Sequence, residues 1–166
     1  MIDILQLKVE QTIQECGTHL RYLTGSAEKL TSAFPLSCEA IESLNDETVT
    51  LLDQFIYRFT KLQDSLGTRL FPSLVSVVTG NDEVRPFADT LNQLEKIGIL
   101  QSVEAWQELR TLRNNLAHEY PNSTEQRAIT LNVLFVKWTD LSLMFNSAKK
   151  YYEEKIVPLS ANEPKH

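Results

Sequence analysis

Cysteine is scarce in this chain: Cys16 and Cys38 are the only two among 166 residues. Two thiols cannot build a disulfide framework, and they fall short of the ligand count of a usual zinc site. Both read as buried small apolar residues in a reducing compartment. A basic surplus is also missing. Lys and Arg number 16 against 22 Asp and Glu, a net charge of −6. That argues against coating nucleic acid by bulk positive charge and leaves room for a local cationic notch. No uninterrupted apolar run approaches the length of a bilayer span. The N-terminal stretch Met1-Ile2-Asp3-Ile4-Leu5 puts an acid where a signal peptide needs basic charge. A soluble, cytoplasmic protein with no membrane association is the expectation. Gly25 and Gly80 belong to no phosphate loop, and no serine or cysteine nucleophile signature occurs.

What remains is helical period almost throughout, in a chain that is 42% hydrophobic and long enough for one domain with a real core. Leu5, Val9, Ile13, Cys16, Leu20 and Leu23 recur at spacings of three and four and predict a first helix over residues 3–23. Thr24-Gly25-Ser26 weakens it. Residues 29–45, with Pro35, predict an irregular connector holding one short helix after Ser37. Asn45 or Asp46 caps a strong helix whose buried face is Leu52, Phe55, Ile56, Phe59, Leu62 and Leu66. Gly67 and then Pro72 predict a kink or short break before the pattern resumes to Val78.

A turn at residues 79–82 leads to a helix with Pro86 near its start and Gly98 past its end. Ser102 caps the next, which carries Val103, Trp106, Leu109, Leu112 and Leu116 and ends near His118, because Tyr120 precedes Pro121. Asn122 with Glu125 reads as a capping box for a long last helix that frays after Ile156-Val157-Pro158. Its apolar residues cover more than one face: Leu131, Leu134, Trp138 and Leu141 run beside Ile129, Val133 and Val136. So wide a stripe calls for one partner inside the protomer and one outside, which points to a dimer. The expected fold is all-α, an up-and-down bundle of four main helices plus a shorter one. It forms a single domain over residues 1–158 with a polar, disordered tail over 159–166.

One run stands apart: Arg113-Asn114-Asn115-Leu116-Ala117-His118-Glu119-Tyr120, stopped by Pro121. Arg113 and His118 are five residues apart, roughly 140° round an ideal helix, so they do not share a face. Asn114 and His118 do, and Arg110 lies one turn before on the same row. Arg113 reaches a shared substrate either by wrapping round the helix end or from a second copy facing the first. Histidine titrates near neutrality and can move the proton of an attacking 2′-hydroxyl. A guanidinium stabilises charge building on phosphoryl oxygens, and Asn114 can orient imidazole or phosphate. Between Arg110 and His118 there is no acid, and nothing nearby in sequence would hold a metal. Each residue alone is also explained as a helix end, since Arg and His complement the macrodipole there. The combined spacing favours the chemical reading.

The pattern Arg-Asn-x-x-x-His-x-Tyr resembles the signature of the HEPN domain (higher eukaryotes and prokaryotes nucleotide-binding), a family of small α-helical proteins. Residues 55–67 and 94–100, leading into Trp106-Gln107-Glu108-Leu109-Arg110, look like the HEPN branch that accompanies minimal nucleotidyltransferases. The similarity spans about residues 45–150, and the signature is its only functionally specific part. The resemblance implies a homodimer with a composite site from two facing motifs, cutting RNA without metal or cofactor. Arg113 and His118 are then catalytic, with Asn114 and Arg110 in support. It also implies a toxin–antitoxin pair, in which the partner nucleotidyltransferase silences the ribonuclease by adenylylating Tyr120. The alternative within the same branch is a non-catalytic subunit that presents substrate or nucleotide to the nucleotidyltransferase. A helical scaffold with no site is the third reading. Elsewhere, His19 reads as a surface or core-edge residue, and Arg58 as half of a structural ion pair with Asp64. Trp106 and Trp138 read as core.

Overall fold

The structure is a computed structural model that describes residues 3–117 and 123–161. Helix α1 (Ile4–Leu30) begins at Asp3, whose carboxylate accepts from the Leu5 N–H. It does not end at 23. The buried stripe continues through Leu23, Ser26, Ala27 and Leu30, and the Ser26 hydroxyl donates to the Tyr22 carbonyl inside the helix. That burial outweighs the penalty of about 1 kcal/mol for an interior glycine at Gly25. A short 3₁₀ turn, Thr31–Ala33, follows.

Helix α2 (Cys38–Glu42) is the short one expected after Ser37, whose side chain caps it. Asn45 caps α3 (Asp46–Ser65) by accepting from the Thr48 N–H. The break at Gly67 and Pro72 takes a specific form. Residues Leu66–Leu70 widen into a π turn, and α4 (Phe71–Thr79) starts again with Pro72 in its first turn. Proline has no N–H, and its ring collides with the carbonyl four residues back. The wider turn places it where a missing donor does no harm, while Leu66, Leu70, Phe71 and Leu74 stay buried. Gly80, at φ +65°, closes α4 in the left-handed conformation that a side chain disfavours.

Helix α5 (Phe87–Lys96) follows Pro86 and ends before Gly98, at φ +82°. Helix α6 (Val103–Ala117) is capped by Ser102, which accepts from the Ala105 N–H. The cap of α7 (Thr124–Tyr151) is Ser123, accepting from Gln126; the expected Asn122 lies outside the described residues. Nor does the chain fray at Pro158. A second π turn, Tyr152–Ile156, precedes it and α8 (Val157–Ala161) continues. The helical body therefore extends three residues beyond the expected boundary at 158. Both prolines that interrupt a helical pattern thus sit just past a π turn.

The protein is an all-α helical bundle, with no strand among the described residues. Helix α1 lies along α3, and α7 packs across both. Phe55, Phe59 and Phe71 are fully buried at the centre. Asn132 of α7 clamps the segment before α2, its amide bonding both the N–H and the C=O of Leu36 at 2.7 and 2.9 Å. On α7, Leu131, Leu134 and Leu141 face inward, whereas Ile129, Val133, Val136 and Leu143 are exposed. The continuous helix from Thr124 to Ala161 is long and apolar enough by composition to cross a membrane. Its inward side is packed into the bundle core. Cys16 is buried as expected, and burial pushes its thiol up to about 12, leaving it protonated and inert. Cys38 is only half-buried.

Candidate functional site

Helix α6 buries Trp106 and Leu109 and turns Arg110 and Asn114 outward to the bundle surface. Arg113 lies at the seam and is half-buried. Its Nη2 reaches both oxygens of Asp64 on α3, at 3.2 and 3.3 Å, and its Nη1 donates to Asn114 Oδ1 at 3.4 Å. Arg113 therefore turns toward the same opening as Asn114 instead of off to one side. Arg110, Arg113 and Asn114 all line one cavity of about 400 Å³ between α3 and α6. His118 and Tyr120 lie outside the described residues.

The other wall was not legible in the motif. Gln63, Asp64, Gly67 and Thr68 come from the end of α3 and its π turn, Phe87 from α5, and Trp106 from the first half of α6. Gly67 has a steric role here. A Cβ at this position would stand 3.0 Å from Cζ2 and 3.4 Å from Cη2 of Trp106. The glycine lets the indole lie against the α3 backbone, with Phe71 and Phe87 tilted around it. The single signal available beforehand was a glycine inside a strongly apolar helix, which marks a close approach. Asp64 also alters the electrostatics. The motif helix has no acid between Arg110 and His118, yet α3 supplies one directly against Arg113.

Four buried side-chain nitrogens among the described residues have no hydrogen-bond partner. Three of them, Gln63 Nε2, Trp106 Nε1 and Arg113 Nε, belong to residues lining this cavity. A buried donor left unpaired costs about 1–3 kcal/mol. The cavity thus combines cationic groups, one carboxylate and an aromatic wall. No three His, Cys, Asp or Glu side chains converge among the described residues.

Arg58 does not pair with Asp64. The two are six residues apart, about 120° from a common face, so Arg58 points to α1. There its Nη1 lies 3.0 Å from His19 Nδ1. His19 is a core-edge residue; burial, and then the Arg58 charge, hold its pKa below the ordinary value. Its ring therefore accepts from Arg58 and stays neutral. Next to it Glu15 is held below the usual carboxylate range, chiefly by its hydrogen bond from Arg69. Trp138 packs edge-on to Phe55. Compared with known proteins, the chain matches no family model, no curated protein and no solved structure.

Proposed function

We propose that this chain is a metal-independent endoribonuclease of the HEPN type, acting as a homodimer and governed by a cognate minimal nucleotidyltransferase. The observation that supports this reading best is the convergence of Arg110, Arg113 and Asn114 on one cavity at the end of the motif helix. Arg113 there is half-buried and restrained by a carboxylate. In the proposed reaction the substrate's 2′-oxygen bonds to phosphorus and the 5′-oxygen leaves. His118 takes the 2′-hydroxyl proton and returns one to the leaving oxygen, so the products are a 2′,3′-cyclic phosphate and a 5′-hydroxyl. Arg113 stabilises the charge on the non-bridging oxygens. Asp64 holds Arg113 in place before substrate arrives, so that less side-chain entropy is lost when phosphate binds. Adenylylation of Tyr120 would set a bulky anion two residues from His118, in competition with the RNA phosphate.

The second reading, a non-catalytic subunit presenting nucleotide to the nucleotidyltransferase, is favoured by a different observation. The aromatic wall of Phe87 and Trp106 suits a bound base and needs no chemistry.

The test is cleavage of single-stranded RNA by the wild type, Arg113→Ala and His118→Ala. Each variant should lose about 10²-fold or more in rate with unchanged circular dichroism. The wild type should keep cutting in excess chelator. Two active variants, or activity abolished by chelation, overturn the mechanism. With the partner coexpressed, mass spectrometry should find adenylate on Tyr120 and the modified protein should be silent. An unmodified Tyr120 beside an active partner removes the regulatory part. A protein that never cuts RNA but binds the partner tightly decides for the second reading.

A further inference from the structure

The face formed by α1 and α3, away from the motif cavity, gathers three cationic side chains that make no ion pair among the described residues. Acids outnumber bases in the chain, 22 to 16. Yet among the described residues Arg21, Arg58 and Lys61 have no carboxylate within 4.0 Å. The acids nearest to them by helix spacing, Asp64 three residues after Lys61 and Glu28 two turns after Arg21, make no ion pair with either, and Asp64 is engaged by Arg113. Glu15 stands 3.6 Å from the far side of the His19 ring and is engaged by Arg69 and Ser65.

Two tyrosines tie these cations together. The Arg58 guanidinium lies 4.4 Å from the Tyr22 ring centroid and 5.4 Å from that of Tyr57. Arg21 stands 4.7 Å from Tyr22, and Lys61 5.7 Å from Tyr57. Both tyrosines are exposed. Arg58 also keeps a buried Nε with no partner. Its one side-chain hydrogen bond is to a neutral imidazole, which supplies an acceptor but no counter-charge. Cations held close together repel one another, so an anion bound among them would be favoured.

Gly17 and Gly25 add an independent observation. They lie one turn before and one turn after Arg21 on the same row. A Cβ at either would meet nothing within 4 Å, and neither has a positive φ. Packing does not require these glycines and backbone geometry does not either, although each weakens the helix relative to alanine. Their remaining effect is to keep the surface beside Arg21 low, so that a ligand can lie close to the helix backbone.

We propose that this face is a track for the phosphate backbone of single-stranded RNA. Spaced cations with aromatic rings at the rim suit a sequence-neutral, phosphate-bearing strand. Arg58 and Asp64 are about 9 Å apart along the α3 axis but about 120° apart round it, so the track lies on a different side of α3 from the motif cavity. It goes beyond the proposed ribonuclease and stands or falls separately from it.

The probe is a 2′-O-methyl RNA 12-mer, which lacks the attacking hydroxyl, titrated by fluorescence anisotropy at several salt concentrations. Arg21→Gln with Lys61→Gln should weaken binding about tenfold and flatten the salt dependence by about 1.4, at about 0.7 for each phosphate that is no longer neutralised. Both residues are exposed, so the fold should survive. Gly17→Ala with Gly25→Ala should raise the melting temperature by about 4–8 °C and still weaken binding, a combination that a purely structural role would not produce. Wild-type affinity and salt slope in both variants overturn the track. So does loss of a protein partner, with RNA binding intact, in the Arg21 and Lys61 variant. RNA bound on this face but never cut would leave the track and remove the ribonuclease. RNA cut with unchanged KM by that variant would do the reverse.

Discussion

Arg113 and Arg58 are both partly buried, and what faces each of them separates their behaviour. Arg113 meets a carboxylate and is neutralised in place. Arg58 meets His19, whose ring must stay unprotonated to accept its N–H. The folded His19 binds a proton less readily than the ordinary pKa of 6.5, because of burial and then the Arg58 charge. Below that pH the unfolded chain takes up more protons than the folded one, so stability falls as pH drops from 6.5 toward the folded pKa. Glu15, held low by Arg69, adds a second loss below 4.5 with the same sign. We expect the urea midpoint of the wild type to be lower at about pH 5.5 than at about pH 7.5. His19→Gln keeps an acceptor for Arg58 and does not titrate, so its two midpoints should nearly coincide. An equal drop in both proteins would place the titration elsewhere.

At the scale of elements, long-range polar contacts hold what helical period alone does not. Residues 34–37, just before α2, have no helix of their own to satisfy them, and Leu36 there is buried. Asn132, 96 residues away, pairs with both of its backbone groups. Asn132→Leu should therefore cost about 2–4 kcal/mol, since it leaves a donor and an acceptor unpaired. Asn132→Asp keeps the acceptor for the Leu36 N–H and should cost less. Equal urea midpoints for wild type and Asn132→Leu would show that water satisfies the segment. The elements themselves were largely legible. Asn45, Ser102, Pro86 and Gly98 act within one turn of where they stand, and they mark helix ends in the sequence as they do in the fold. Gly25 misled, because its penalty is small beside the burial of Leu23, Ala27 and Leu30. Pro72 pointed to a break, but a π turn as its form depends on keeping Leu66, Leu70 and Phe71 in the core. Only the packed bundle imposes that.

For the whole molecule, the proposed composite site requires two copies. Ile129, Val133, Val136 and Leu143 form one exposed row on α7, and Val136 is 71% exposed. An apolar row of this kind beside polar neighbours marks an association surface. The expectation is a dimer by light scattering at micromolar concentration. Val133→Lys with Val136→Lys should yield a folded monomer that has lost cleavage along with its partner. A wild-type monomer removes the composite site. A monomeric variant that still cuts RNA would show that one protomer is sufficient.

The sequence by itself determined the helical class, most helix ends, the inward faces of the first helix, α3 and α6, and the run of chain that holds Arg110, Arg113 and Asn114. Each of these follows from residues three or four positions apart, the range over which helix geometry and capping act. Tertiary structure alone decided what stands opposite that cluster. Asp64 meets Arg113 across 49 residues of chain, Gly67 admits the ring of Trp106, and Arg58 turns away to His19. Which helix faces which is settled by burying many apolar stripes at once. No local pattern encodes that choice, so the carboxylate and the aromatic wall of the cavity come into view only when the bundle closes.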